Sequence, residues 1–364
     1  MTIENAIKLQ DTGWTLVHKG KIADGLKQIE EALRLFELIE GSESPDVANL
    51  LNDIAEIENN LERFKLAITH ATRSMEITDK LGRKFTGEDA ARIRARSRTI
   101  LGTVHRELGD YKLGESYLKD ALKINKKQFG DEDPETATSQ NNLAIVYKYM
   151  GHIEKGLALY QDALRKLIAE YGEDALALSP LYHNIGGILH AAGRYAEAEE
   201  PGRKAWEISK ALLGRNNPQT VADGAAYAGI LDGLGRYKES EPIYKHALKR
   251  FEKLYGPDNY EIAVNLNNLA ALKAAQGKNV EAEAHYRRSI EIKEKLFGKS
   301  HPDIALALNN LGSLLNGTGR HKEAVVVYKR ALKMFEKTLK KDHPKLKLVR
   351  ENLAGAEGAG KKKK

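Results

Sequence analysis

Cysteine is absent from the 364-residue sequence. Disulfide frameworks, thiolate metal sites and cysteine nucleophiles are thereby excluded, and a reducing compartment is allowed without being required. Proline is scarce, with 9 residues against abundant Ala, Leu, Glu and Lys, so little opposes helix formation over long stretches. Long apolar runs are missing too. None approaches the ~18 residues that a membrane helix needs, and no membrane insertion is expected. Residues Met1 to Asn5 show neither the charged nor the apolar region of a secretory signal, so a cytoplasmic address is expected.

What is present begins with charge. The formal net charge is +7, but residues 320–364 hold 15 Lys/Arg and 5 Asp/Glu, a local balance of +10 that leaves the rest of the chain at −3. The basicity belongs to one end, where Lys361 to Lys364 close the sequence, and the body is nearly neutral.

Internal repetition organises the chain. A turn opening on glycine recurs at Gly109, Gly151, Gly193, Gly235, Gly277 and Gly319, each 42 residues after the last, and two earlier turns fit at Gly20 and Glu62. Five extra residues lie around Gly82 to Asp89. With positions counted from the turn residue, position −7 is Gly13, Ala55, Gly102, Ala144, Gly186, Ala228, Ala270 and Gly312. Positions +5 and +12 are likewise confined to Gly, Ala or Ser in all eight units. Small residues at fixed helical sites let two helices approach closely. Each unit therefore reads as two helices, A before the turn and B after it. In the fourth unit Asp133-Pro134 caps and opens helix A, which runs to about Met150, and helix B runs from about Glu154 to Tyr171. A glycine at +21, as in Gly130 and Gly172, suits a left-handed residue ending helix B. Pro201 and Pro242 fall early inside helix B, where proline bends the helix without ending it. Tyr160, Tyr244, Tyr286 and Tyr328, all at +9, read as packing residues.

Segments such as Leu266-Asn267-Asn268-Leu269-Ala270, Gly235-Arg236-Tyr237 and Gly298-Lys299-Ser300-His301-Pro302-Asp303 resemble the tetratricopeptide repeat, in particular the 42-residue variant of kinesin light chains and their bacterial relatives. The resemblance covers roughly residues 5–355. It implies an all-α, right-handed superhelical solenoid of helix–turn–helix units. The expected divisions are residues 1–84, two divergent repeats; 85–344, six regular repeats; and 345–364, a capping half-repeat with a basic tail. The fifth unit departs from the pattern at Glu200-Pro201-Gly202, and the heptad coiled coil of kinesin light chains is missing. After Pro344 one further helix caps the apolar face of the last repeat, and a frayed tail is expected from Gly355 onward.

Catalytic and cofactor motifs dissolve on inspection. Gly298-Lys299-Ser300 resembles the end of a phosphate loop, but Lys293 stands where the loop needs glycine. The Gly355 to Gly360 stretch follows no strand. His183 and His190 share a helix face without a third ligand. No catalytic role, cofactor or metal is expected.

A partner is expected along helix A. Position −9 carries Asp53, Ile100, Asn142, Asn184, Ala226, Asn268, Asn310 and Asn352, and position −10 adds Asn141, Asn267 and Asn309. Position −3 carries Arg106, Lys148, His190, Asp232, Ala274 and Asn316. The resemblance implies that these faces line a concave groove. Asparagine is an indifferent helix former, so its recurrence has one of two reasons. Its amides hold an extended peptide backbone, or they bond neighbouring helices and fix the stacking. Arg96, Arg106, Lys148 and His190 make an acidic peptide the expected partner of a monomeric, non-catalytic scaffold. The other class of function open to the sequence is polyanion binding through the basic C-terminal end. Base-stacking aromatics and a nucleic-acid motif are both missing. Oligonucleotide binding is therefore predicted to be weak, indifferent to sequence and lost near physiological salt. Filter binding across a salt series checks this, and sub-micromolar affinity for one defined oligonucleotide at that salt contradicts it.

Overall fold

The computed structural model describes residues 2–18, 21–61, 63–339, 341 and 343–361. Among them are seventeen α-helices and no strand. Helix A of successive hairpins is α1 (Ile3–His18), α3 (Pro45–Asn60), α5 (Glu88–Glu107), α7 (Pro134–Tyr149), α9 (Ser179–Ala191), α11 (Pro218–Gly233), α13 (Tyr260–Ala275) and α15 (Pro302–Gly317). Helix B is α2 (Ile22–Glu40), α4 (Phe64–Leu81), α6 (Tyr111–Phe129), α8 (Ile153–Tyr171), α10 (Tyr195–Leu213), α12 (Tyr237–Tyr255), α14 (Asn279–Phe297) and α16 (His321–Thr338). Helix α17 (Pro344–Lys361) follows. The chain forms two compact units, Met1–Val146 and Tyr147–Lys364. No described helix is long and apolar enough to cross a membrane.

The turn glycines end helix A by a Schellman arrangement. Gly109 has φ +81°, its N–H donates to Arg106 O at 3.0 Å, and Asp110 N–H donates to His105 O at 2.8 Å. The same pair of bonds recurs at Gly151, Gly193, Gly235, Gly277 and Gly319. The earlier turn residues Gly20 and Glu62 lie outside the described residues. Glycines ending helix B differ from the expected left-handed helical cap. Gly130 has φ +95° and ψ 172°, and Gly256 has φ +80° and ψ 177°. These values lie in a region nearly exclusive to glycine, and they send the chain out extended toward the next helix A. Side-chain caps then open that helix, as in Asp133 accepting from Glu135 N–H at 2.8 Å and Asn217 from Gln219 N–H at 2.9 Å. Pro201 and Pro242 both sit inside continuous helices.

The small-residue register is buried throughout. Ala55, Ala144, Ala228 and Ala270 at −7 are fully buried, as are Ala67, Ala198, Ala282 and Ala324 at +5. Where glycine takes the place the approach is closer still. A Cβ on Gly114 would stand 2.9 Å from Gly102 O, and one on Gly312 would stand 2.6 Å from the Tyr328 ring. Tyr160, Tyr244, Tyr286 and Tyr328 are buried beside this seam, in keeping with a packing role.

The C-terminus corrects one expectation. Fraying from Gly355 does not occur, because α17 continues through three glycines to Lys361. Ala356 is fully buried with Leu346 and Val349 in the cluster that holds Tyr328 and Phe335, and Glu357 pairs with Lys329 at 3.0 Å. Docking compensates for the poor helix propensity of glycine. Lys362 to Lys364 lie outside the described residues.

Two glycine substitutions separate contact from propensity. Gly312→Ala should cost ~2 kcal/mol by overpacking Tyr328. Gly358→Ala, whose new methyl meets nothing within 4 Å, should gain ~0.5–1 kcal/mol from helix propensity. Urea-unfolding midpoints moving in opposite directions are the expected result.

Candidate functional site

Neighbouring helices A are tied by one hydrogen bond that repeats in register. Position −10 of one unit meets position −9 of the next: Gln10 Nε2 donates to Asp53 Oδ2 at 2.7 Å, Asn310 Nδ2 to Asn267 Oδ1 at 3.3 Å, and Asn352 Nδ2 to Asn309 Oδ1 at 3.0 Å. Within a helix, Asn141 Nδ2 donates to Asn142 Oδ1 at 3.4 Å and Asn267 Nδ2 to Asn268 Oδ1 at 3.5 Å. The asparagines thus bond one another along and between helices. Asn309 is buried in this seam, whereas Asn184, Asn268 and Asn310 remain half-exposed.

The cations of the expected groove are less available than their spacing suggests. Arg96 donates from Nη1 to Asp53 Oδ1 at 2.7 Å and pairs through Nη2 with Glu56, so its charge is matched by two carboxylates. Arg106 pairs with the adjacent Glu107. In the second unit Lys148 Nζ lies 5.1 Å from the centroid of the Tyr149 ring. It also lies close enough to His190 to lower that imidazole's pKa, an effect led by dehydration of the ring and opposed by a hydrogen bond with the Gly229 backbone. Lys148 and His190 are brought together. Asp232 bonds Ser240 Oγ, and burial raises its pKa.

Two cavities open along the helices A of the second unit. One, of about 420 Å³, is bounded by α9, α11 and α13. Asn184 and Asn268 line it with His183, Gln219, Tyr260 and Glu261. Its floor is anchored by buried Asp223, which accepts from His183 Nδ1 at 2.8 Å, Ser179 Oγ at 2.9 Å and Gln219 Nε2 at 3.0 Å. Burial raises the Glu261 pKa, and His183 acts against that rise. The other cavity, of about 430 Å³, is lined by Asn310, Ser313, Ala274 and Tyr286. Both offer amide and hydroxyl groups on a partly apolar wall, a surface suited to hydrogen-bonding a peptide backbone. Sequence reasoning overlooked Gln219, Glu261 and Asp223. A signal for the first two existed: position +26 reads Glu135, Ala177, Gln219, Glu261, Asp303 and Lys345, polar in all but one of these units. Among the described residues no group of three His, Asp or Glu side chains could hold a metal.

Family models described as tetratricopeptide repeat match residues 94–169, 220–295, 261–337 and 303–363, and a second such model matches 181–219. The chain is a tetratricopeptide-repeat protein. Its all-α array with a capping C-terminal helix is the fold of that family. Similar solved structures include a Rap protein complexed with competence and sporulation factor, with 16% identity, full coverage of both chains and a TM-score of 0.58. NprR in complex with its cognate peptide NprX is 15% identical, with 83% of each chain covered and a TM-score of 0.55. Kinesin light chain-like repeats from Podosopora anserina are also similar, at 17% identity over 58% of this chain and 98% of theirs, with a TM-score of 0.45. A curated relative, a clustered mitochondria protein homolog of Culex quinquefasciatus, is 23% identical over 223 residues. The match takes 59% of this chain and spans 15% of that relative's length.

The raised pKa of Glu261 generates a stability prediction. The folded tetratricopeptide array keeps this proton to higher pH than the unfolded chain, whose value is near 4.5. The folded state therefore binds more protons in the window above 4.5, and stability falls as pH rises through the folded value. Glu261→Gln removes that loss. The variant should gain on wild type as pH rises above about 4.5, and a difference that does not change with pH contradicts the assignment.

Proposed function

We propose that this tetratricopeptide array is a non-catalytic protein-interaction scaffold that takes an extended peptide along the helix A face of its second unit. The observation that carries the reading is the cavity bounded by α9, α11 and α13, where Asn184 and Asn268 present amides beside His183, Gln219 and Glu261. An amide side chain donates and accepts, as does each residue of an extended backbone. NprR, which shares the fold, is in complex with its cognate peptide, and this lends the reading support.

Charge selects the segment. Arg96 and Arg106 pair with carboxylates; we place the acidic preference at Lys148, which stands beside His190, a residue of the helix that carries Asn184. From Asn184 to His190 is six residues of one helix, ~9 Å, the reach of about three extended residues. An acidic side chain about three residues from the backbone held by Asn184 is therefore the proposed requirement. The protein acts as a monomer in this scheme, since the site draws on one chain alone.

The test is a peptide library selected against the wild type, followed by titration of the selected peptides against Asn184→Ala/Asn268→Ala and Lys148→Ala. The amide double variant should bind at least about tenfold more weakly, since a desolvated hydrogen bond is worth ~1–3 kcal/mol. Lys148→Ala should lose less than ~1 kcal/mol if its contact stays wet, and should lose it only for peptides with an acidic residue. If both variants hold their peptides as tightly as the wild type, this face is not the site.

A further inference from the structure

A third cavity, of about 300 Å³, lies apart from the peptide face, bounded by α10, α11 and α12. Its wall is apolar, made by Trp206, Val221, Pro242 and Ile243, and no carboxylate lines it. Its volume is at the lower end of small-molecule pockets.

Three local features set this cavity apart from the other hairpins. Position −11 is large in neighbouring units, Tyr182, Leu266 and Leu308, but is Gly224 here. The Trp206 indole lies against that glycine, where an added Cβ would stand 2.9 Å from Nε1. Position −15 is Thr136 two units earlier, whose hydroxyl donates to Gly130 O at 2.7 Å. Its counterpart Thr220 is fully buried in the cavity wall, and Oγ1 has no hydrogen-bond partner.

The third feature concerns charge. In two other hairpin pairs an arginine at +11 pairs with a glutamate at +17 of the preceding unit, and also donates to the backbone carbonyl at +22. Arg73 does so with Glu37 and Ser42 O, and Arg330 with Glu294 and Lys299 O. The corresponding residues at this cavity are His246, Lys210 and Arg215. A basic side chain thus stands where those two pairs supply the acid. Lys210 Nζ rests 5.3 Å from the centroid of the Trp206 ring, and neither Lys210 nor Arg215 forms an ion pair among the described residues. His246 Nε2 is buried without a partner. Burial, with Arg215, Arg250 and Lys249 nearby, lowers its pKa, while the Arg215 backbone acts in the opposite direction.

We propose that this cavity binds a small amphipathic carboxylate, its apolar body against Trp206 and Ile243 and its anionic end among Lys210, Arg215 and His246. The ligand brings the carboxylate that Glu37 and Glu294 provide in those two pairs. Binding here is independent of peptide capture on the helix A face.

Trp206 is its own reporter, because the only other tryptophan is Trp14. In a Trp14→Phe background, octanoate should change Trp206 emission saturably, and 1-octanol should bind at least tenfold more weakly. Lys210→Glu restores the internal acid and should weaken octanoate binding at least tenfold. Arg215→Ala should weaken it several-fold, and calorimetry checks both variants independently of the fluorophore. The proposal is overturned if octanoate gives no saturable change, if octanol binds equally well, or if folded Lys210→Glu or Arg215→Ala binds octanoate like the parent.

Discussion

Close approach of two helices at a seam of small residues is the constraint on which the rest of the array depends. At −7, +5 and +12 each hairpin allows no side chain beyond Gly, Ala or Ser, and a single methyl at Gly312 would reach the Tyr328 ring. Packing at that distance fixes the angle between helix A and helix B, and hence the direction in which each hairpin presents its next face. The buried tyrosines at +9 fill the space beside the seam, and from Gly109 onward the Schellman turns and helix B glycines return the chain to the same register every 42 residues. Stability in such an array is close to a sum of hairpin and neighbour terms, so local departures are tolerated and can be put to use.

The asparagine ladder answers two needs at once. Its amides bond from one helix A to the next, as between Asn310 and Asn267, which holds neighbouring hairpins in register. Each amide has more capacity than one such bond consumes, and Asn184, Asn268 and Asn310 also line cavities. A residue that fixes stacking with one half of its amide can offer the other half to a ligand without an ordering cost at binding. The stacking and ligand readings of these residues are therefore compatible.

Much of the fold was legible in the sequence because its signals are periodic. The turn glycines, the small-residue seam and the Asp133-Pro134 helix start could all be read from the sequence. Where a signal depends on docking, spacing falls short. Gly355, Gly358 and Gly360 look like a frayed end, yet Ala356 and Glu357 anchor α17. The glycines after helix B were recognisable, but their extended ψ reflects the direction of the next helix. The candidate site was legible as positions, less so as chemistry. Asn184, Asn268 and Asn310 line cavities in the register the sequence suggested, whereas the charge of Arg96 is matched by Asp53 and Glu56 from the preceding helix A. Asp223 escaped notice because its partners Ser179, His183 and Gln219 converge only through packing.

The central claim is that an extended peptide lies along α9, α11 and α13. A crystal structure of the chain with a library-selected peptide tests it most directly. The account predicts peptide backbone within hydrogen-bonding distance of the Asn184 and Asn268 amides, with an acidic side chain directed toward Lys148. A peptide seated on the helix B surface, with that cavity empty, would contradict it.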